Sequence, residues 1–253
     1  MEKPVLYHGS VADIEIFTPR DGVNNAFQNY HGTLATQVKP LAMMFALKVK
    51  DGYDPNNTRT ALGGKKDERG VDFKDFMICG HVVNGVPVAI FRDRAKYLST
   101  LDKVGGGGYL YTVPNDSFTK VIRDDGRDSR EWLSTSQEIK PLERERVTLE
   151  NAMRSGAQIL FMLEGKNFDD FEKTFLPRQQ EMTEGNAHAA LLREMVTKGI
   201  LIDENKARGI PNPLNLSEPT VMQQPAQQQQ SQHHGCWSGQ PRNAPGSHSN
   251  RTR

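Results

Sequence analysis

Val5-Leu6-Tyr7-His8-Gly9-Ser10 is a short apolar run that closes on a histidine, a glycine and a small hydroxyl residue. Read as a strand, it alternates its side chains, so Leu6 and His8 share one face and Val5 and Tyr7 the other. His8 then stands at the strand's end with a ring nitrogen to donate to a ligand hydroxyl. Gly9 has no Cβ, which lets a bound molecule approach its backbone N–H and C=O. The same six residues also suit a purely structural strand end, and residues further along the chain decide between the two.

Outward from there, residues 11–17 run into the turn cluster Pro19-Arg20-Asp21-Gly22 and a polar loop holding Asn24, Asn25, Gln28 and Asn29. Tyr30-His31-Gly32-Thr33-Leu34-Ala35-Thr36 reads as a short strand opened by its glycine. Pro40 suits the first turn of a helix, to which Leu41, Ala42, Met44, Phe45 and Leu47 give a broad apolar side. The result is a strand-turn-helix unit with the helix N-terminus near the strand's end. Residues 50–74 are rich in Gly, Asn, Asp, Lys and Arg and read as a mobile insertion. Within it, Gly63-Gly64-Lys65-Lys66 lacks the preceding strand, the spacing and the following hydroxyl of a phosphate loop.

Two strand-like runs, 76–83 and 86–91, flank Asn84-Gly85, the strongest hairpin signal in the sequence. Residues 93–102 read as a helical turn or connector. The four glycines 105–108 precede a strand at 109–113, whereas a phosphate cradle precedes a helix, so they read as a flexible lead-in. A strand at 118–122 ends at Asp124-Asp125-Gly126, and Arg130-Glu131-Trp132-Leu133-Ser134-Thr135 comes next as a strand with Trp132 on the face opposite Glu131. After Ile139-Lys140-Pro141-Leu142 come a short helix at 147–154, stopped by Ser155-Gly156, and a last strand at 158–163. Amphipathic helices are expected at 168–175 and 186–198, the second stopped by Gly199.

The 253 residues allow one domain with appendages or two small domains. A formal net charge of +1 provides no global field for nucleic acid or an anionic membrane. Cys79 and Cys236 are far apart, which fits a reducing compartment and not a disulfide scaffold. The start, Met1-Glu2-Lys3-Pro4, lacks the basic-then-apolar pattern of a signal peptide, and no apolar run reaches bilayer-spanning length. A soluble protein, cytoplasmic where it is made, is the expectation. From residue 211 Gln, Pro, Ser, Asn and Gly dominate, and such a segment cannot bury enough apolar surface to offset the entropy of ordering. There His233, His234 and Cys236 have no second ligand pair at the spacing of a structural site, so no metal is expected.

Three pieces stand in order: His8-Gly9, the unit from Gly32 to Phe45, and Glu131 opening a strand. In that order the sequence resembles the ADP-ribosyltransferase superfamily, on the branch of the poly(ADP-ribose) polymerases and diphtheria-toxin-like enzymes. The signature of that branch is a His, an aromatic and a Glu on three separate strands. Leu6-Tyr7-His8-Gly9-Ser10 is similar to the first motif, where His-Gly grips NAD, and Gly32-Thr33-Leu34-Ala35-Thr36 with the helix through Phe45 to the second. Arg130-Glu131-Trp132-Leu133-Ser134 with Ile139-Lys140-Pro141 is similar to the third, whose Glu is catalytic. The resemblance covers residues 1–163. Where the family often carries an aromatic that stacks on nicotinamide, this sequence has Leu34; Phe45 matches a second aromatic position, and Tyr30 is another substitute.

The resemblance implies an α+β fold, a split β-sandwich with flanking helices, over residues 1–165; by periodicity and composition the rest reads as a helical extension over 166–210 and a disordered tail over 211–253. The resemblance also implies NAD as substrate, with Glu131 and His8 catalytic and His8, Gly9, Ser10, Gly32, Thr33, Thr36 and Phe45 holding the dinucleotide. Nicotinamide leaves its ribose as a neutral molecule, so no general acid is required. The oxocarbenium-like transition state needs negative charge nearby, which Glu131 would supply. His8 would bond the adenosine-side ribose, Gly9 the carboxamide, and Ser10 or Thr36 would add a further hydrogen bond. The expected function is mono-ADP-ribosyl transfer to a macromolecular acceptor, a protein, as by a bacterial effector or toxin delivered into a host cell. Two alternatives stay open. One is a non-catalytic module of the same fold that binds NAD, ADP-ribose or a protein, to which Leu34 points. The other is RNA 2′-phosphotransferase chemistry, for which Lys65, Lys66, Arg92 and Arg94 offer a few cations although the near-neutral balance speaks against nucleic acid. No membrane partner is expected.

Overall fold

The computed structural model describes residues 4–24, 28–51, 76–122, 128–163 and 185–216. Its strands are β1 (Leu6–Ser10), β2 (Arg20–Asn24), β3 (Gln28–Thr36), β4 (Met77–Val83), β5 (Val86–Phe91), β6 (Tyr109–Val113), β7 (Thr119–Ile122), β8 (Asp128–Ser134), β9 (Glu143–Arg146), β10 (Gln158–Met162) and β11 (Leu201–Asp203). The helices are α1 (Lys39–Ala46), α2 (Arg94–Lys103), α3 (Leu149–Arg154), α4 (Gly185–Thr197) and α5 (Glu204–Ala207). The larger sheet runs β7-β8-β3-β1-β6-β9, with β2 also on β3, and is antiparallel throughout. The smaller runs β11-β10-β5-β4, with β10 and β5 parallel. This is a mixed α/β chain of the α+β kind.

The pleat explains the layering. Along β5 and β10, Ala89, Phe91, Ile159 and Phe161 join one core with α1, α2, α3 and Leu110 of β6. Their alternate neighbours Val88, Ile90, Leu160 and Met162 join a second core with α4, Leu201 and Leu216. Strands apolar on both faces need cover on both, and α4 supplies the second layer. The larger sheet buries Leu6, Ala35, Tyr111 and Val113 in a third cluster with Phe17, Phe118 and Ile139. The described residues all fall within one unit, Met1–Glu218.

The Asn84-Gly85 hairpin forms as expected, with φ of 49° and 82° as a tight primed turn requires. Other expectations are corrected. Arg20-Asp21-Gly22 is not a turn: these residues pair with Gly32, His31 and Tyr30, because a strand partner overrides local turn propensity. Of the two readings of 93–102, helical turn or connector, the helical one holds, and the helix is longer than a turn, ten residues in α2. The glycine run is no flexible lead-in. A Cβ on Gly108 would lie 2.1 Å from the Ser10 carbonyl oxygen, and its backbone exchanges hydrogen bonds of 2.9 Å with Ala46 and Val147. Strand β9 is a finding the sequence does not announce, since its four charged residues are all exposed on a sheet edge and carry no alternation. Strand β10 is not the last, for β11 pairs beside it. Order extends past residue 211, where Leu214 and Leu216 are 8% and 0% exposed. The expected helix at 168–175, Asp124-Asp125-Gly126, His233, His234, Cys236 and all but the first two residues of the 50–74 insertion lie outside the described residues.

Candidate functional site

Strands β1 and β3 pair at one position, Tyr7 opposite Thr36, whereas β1 pairs with β6 along its whole length. Beyond Tyr7 the two strands part, and β3 goes on beside β2 and β8. A side chain spans the gap: His8 Nδ1 donates to the Leu34 carbonyl oxygen at 2.6 Å. A carbonyl can only accept, so Nδ1 carries the proton and Nε2 of the neutral ring is an acceptor. The ring lies edge-on to Phe17 at 4.7 Å and tilted to Tyr111 at 6.4 Å. Tyr111 is itself fixed, its hydroxyl donating to Ala12 O and accepting from Ile14 N. Burial lowers the His8 pKa below its ordinary value and the Arg20 charge adds to this, while the Leu34 hydrogen bond works against both. Burial thus favours the neutral ring, whose Nε2, read from the sequence as a donor, can only accept.

Glu131 is aimed by an irregularity in β8. From Lys120↔Trp132 to Ile122↔Asp128 the ladder advances two residues on β7 and four on β8. Arg130 absorbs the excess with φ of 63°, a left-handed conformation that costs a non-glycine residue about 1–2 kcal/mol. Side chains hold it there. Thr36 Oγ1 donates to Arg130 O at 2.7 Å, and Ser129 Oγ donates to Val121 O at 2.6 Å while accepting from Glu131 N at 3.1 Å. Bulges of this sort redirect a side chain beside a site. The strand therefore begins at Asp128 and not at Glu131. Thr36, expected to bond NAD, uses its hydroxyl proton on Arg130 and accepts from Val38 N, so it positions Glu131 and starts α1.

Gly9 also has a packing role. A Cβ there would stand 1.7 Å from the Ala42 carbonyl oxygen, so the missing side chain makes room for α1. Helix α1 buries Leu41, Ala42, Met43, Met44 and Ala46 and leaves Phe45 41% exposed, which takes this ring out of the core. Ser10 Oγ accepts from Ala12 N at 3.2 Å, which leaves its proton for another acceptor.

These residues surround one hollow. A cleft of about 460 Å³ is bordered by His8, Gly9, Ser10, Thr36, Phe45 and Glu131, together with Arg20, Tyr30, Leu34 and Lys48. Its size is that of a small-molecule site, about 300–1,000 Å³. Gly32 and Thr33 border a smaller hollow of about 140 Å³ that shares His8, Ser10, Arg20, Tyr30 and Leu34 with the cleft. Burial and the Glu131 charge both push the Tyr30 phenol up. A larger hollow of about 710 Å³ lies along β9, but two of its charges, Lys39 and Glu145, pair with each other at 2.7 Å. Sequence reasoning misses Arg20, which reads as part of a turn, and Lys48, one polar residue beyond an apolar helix. A hairpin pairing Arg20 with Gly32 is the signal available for the first. Of the cations considered for RNA, Arg94 is bound to Glu204 at 2.8 and 2.9 Å, Arg92 does not border the cleft, and Lys65 and Lys66 lie outside the described residues.

Compared with known proteins, the chain matches no family profile, no curated protein and no solved structure. Among the described residues no helix is long and apolar enough to cross a membrane, and no three His, Cys, Asp or Glu side chains are grouped to hold a metal ion.

Proposed function

We propose that the protein is an NAD-dependent mono-ADP-ribosyltransferase of the split β-sandwich kind, modifying a macromolecular acceptor, a protein. The observation that carries this reading is that His8 and Glu131, 123 positions apart in sequence, border the same cleft. The arrangement of an antiparallel sheet beside a smaller mixed sheet, with α1 behind β1, is in keeping with it. In this reading Nε2 of neutral His8 accepts from a ribose hydroxyl, which fixes the sugar. Phe45 offers an exposed ring for the nicotinamide to stack on, with Tyr30 as a second aromatic wall. Glu131 faces the anomeric carbon as nicotinamide departs. Its carboxylate stabilises the positive charge that grows on the ribose ring and holds a hydroxyl of the sugar or of the incoming acceptor.

Release of nicotinamide from labelled NAD, with label transferred to protein in a cell lysate, tests the proposal. Glu131→Gln keeps the shape and removes the charge, and it is expected to lower kcat by about 10²–10³, or roughly 3–4 kcal/mol of barrier, as for loss of one stabilising group at a reacting centre. A Glu131→Gln protein as fast as the parent would remove Glu131 from the mechanism. A second reading, a module that binds NAD or ADP-ribose without turnover, is favoured by Leu34, which borders the cleft where an aromatic would stack. Calorimetric binding of NAD by a parent protein that releases no nicotinamide would select it.

A further inference from the structure

Two cations, Arg20 and Lys48, border the cleft. Arg20 opens β2, Lys48 lies just beyond α1, and both are exposed. Among the described residues neither takes part in an ion pair. Other cations of the chain are neutralised, Lys39 by Glu145, Arg94 by Glu204, Lys96 by Asp51 and Arg144 by Asp13. Arg20 borders both the cleft and the smaller hollow that opens from it, and its charge is felt at His8. Two like charges bordering one cleft raise the local concentration of anions of matching size. Their chemistries also differ usefully. A guanidinium grips phosphate oxygens through a planar fork, and an ammonium tracks them as a point charge. With one carboxylate in the cleft, the two cations leave a local excess that a diphosphate, unlike a neutral sugar, would satisfy.

We infer that Arg20 and Lys48 form a clamp for the diphosphate of the bound ligand. Naming that ligand a nicotinamide dinucleotide rests on the function proposed above; the clamp itself rests on the two cations. Neither residue is part of the reacting centre. They set affinity and selectivity for phosphorylated over phosphate-free nucleosides.

Isothermal titration of the full chain at fixed low salt tests this, with NAD, inorganic pyrophosphate and nicotinamide riboside as probes. The proteins are the parent, Arg20→Gln, Lys48→Gln and the double variant, all at exposed positions, with melting curves to verify folding. Each single variant is expected to lose about tenfold in affinity for NAD and for pyrophosphate, as for loss of one charged hydrogen-bonding partner. Binding of nicotinamide riboside is expected to stay unchanged, and raising the salt is expected to weaken the parent more than the double variant. If NAD binds the double variant as tightly as the parent, the clamp is refuted and the nucleotide reading survives. If the parent binds pyrophosphate through these residues but not NAD, the clamp stands and the dinucleotide reading falls. A parent that binds neither overturns both.

Discussion

A methyl group on residue 9 would stand 1.7 Å from the Ala42 carbonyl oxygen and 3.0 Å from Ala46 N, both backbone atoms of a buried helix. No side-chain rotation relieves such a contact, so β1 and α1 would have to separate. Gly9→Ala is therefore expected to destabilise the fold by about 3 kcal/mol or more, the upper range for overpacking. The measurement is a shift of the urea midpoint at constant slope. A fully stable Gly9→Ala protein with weakened NAD binding would instead return the residue to the ligand. His8 beside it can be read from the sequence as far as its face, since alternation with Leu6 fixes that. Its tautomer cannot be read, because that depends on the Leu34 carbonyl, 26 residues away, across a gap that only the parting of β1 and β3 creates. Glu131 is legible as a residue and illegible in its aim, which a left-handed Arg130 and the Thr36 hydroxyl decide.

At the scale of elements, legibility tracks local signals. The Asn84-Gly85 turn needs nothing beyond its own two positive φ angles, and α3 starts at a capping box of Thr148 and Asn151. Strands β2 and β9 carry no such signal, being polar segments that exist because a neighbour offers hydrogen bonds. Helix α4 has a readable apolar face but no readable partner, and its contact with β4 has a chemical consequence. His81 and His188 stack with ring centroids 4.2 Å apart and planes 2° from parallel. Burial lowers both pKa values, and the His188 charge helps take His81 to about 3. A histidine held below its unfolded value binds fewer protons in the native state than in the unfolded chain. The stabilisation is whole above about pH 6.5 and is lost as pH falls from there toward 3, at up to about 1.4 kcal/mol per pH unit. His81→Phe keeps a flat ring and removes the titration, so its acid-unfolding midpoint should move to lower pH with little change at neutral pH. An unmoved midpoint, monitored by circular dichroism, would assign acid sensitivity to other groups.

At the largest scale, residues 203–211 tie together the described part of the unit Met1–Glu218. Asp203 accepts from Gln158 Nε2 at 2.8 Å, and Asn205 accepts from Ile159 N at 2.9 Å while donating to Ala157 O at 2.9 Å and Pro211 O at 3.0 Å. Glu204, fully buried, is gripped by Arg94 and Arg208, which outweigh its burial and hold its pKa below the usual carboxylate range. None of this is legible as structure in the sequence, since the motifs that carry the resemblance end before residue 163 and the later segment reads as an appendage. Yet Val83, Val88, Ile90, Leu160 and Met162 share a core with Leu191, Leu192, Met195, Leu201 and Leu216. A chain cut after Leu163 would expose those five strand residues, at about 1.5–3 kcal/mol for each large side chain returned to water. The sum, roughly 8 kcal/mol or more, matches the entire stability of an ordinary domain, about 5–15 kcal/mol. The truncated chain keeps every residue of the cleft and is nonetheless expected to lose near-ultraviolet circular dichroism, to bind a hydrophobic dye and to bind no nucleotide. Retention of a cooperative thermal transition by residues 1–163 would mean that the smaller sheet tolerates an open face, and that the cleft stands on the larger sheet and α1 alone.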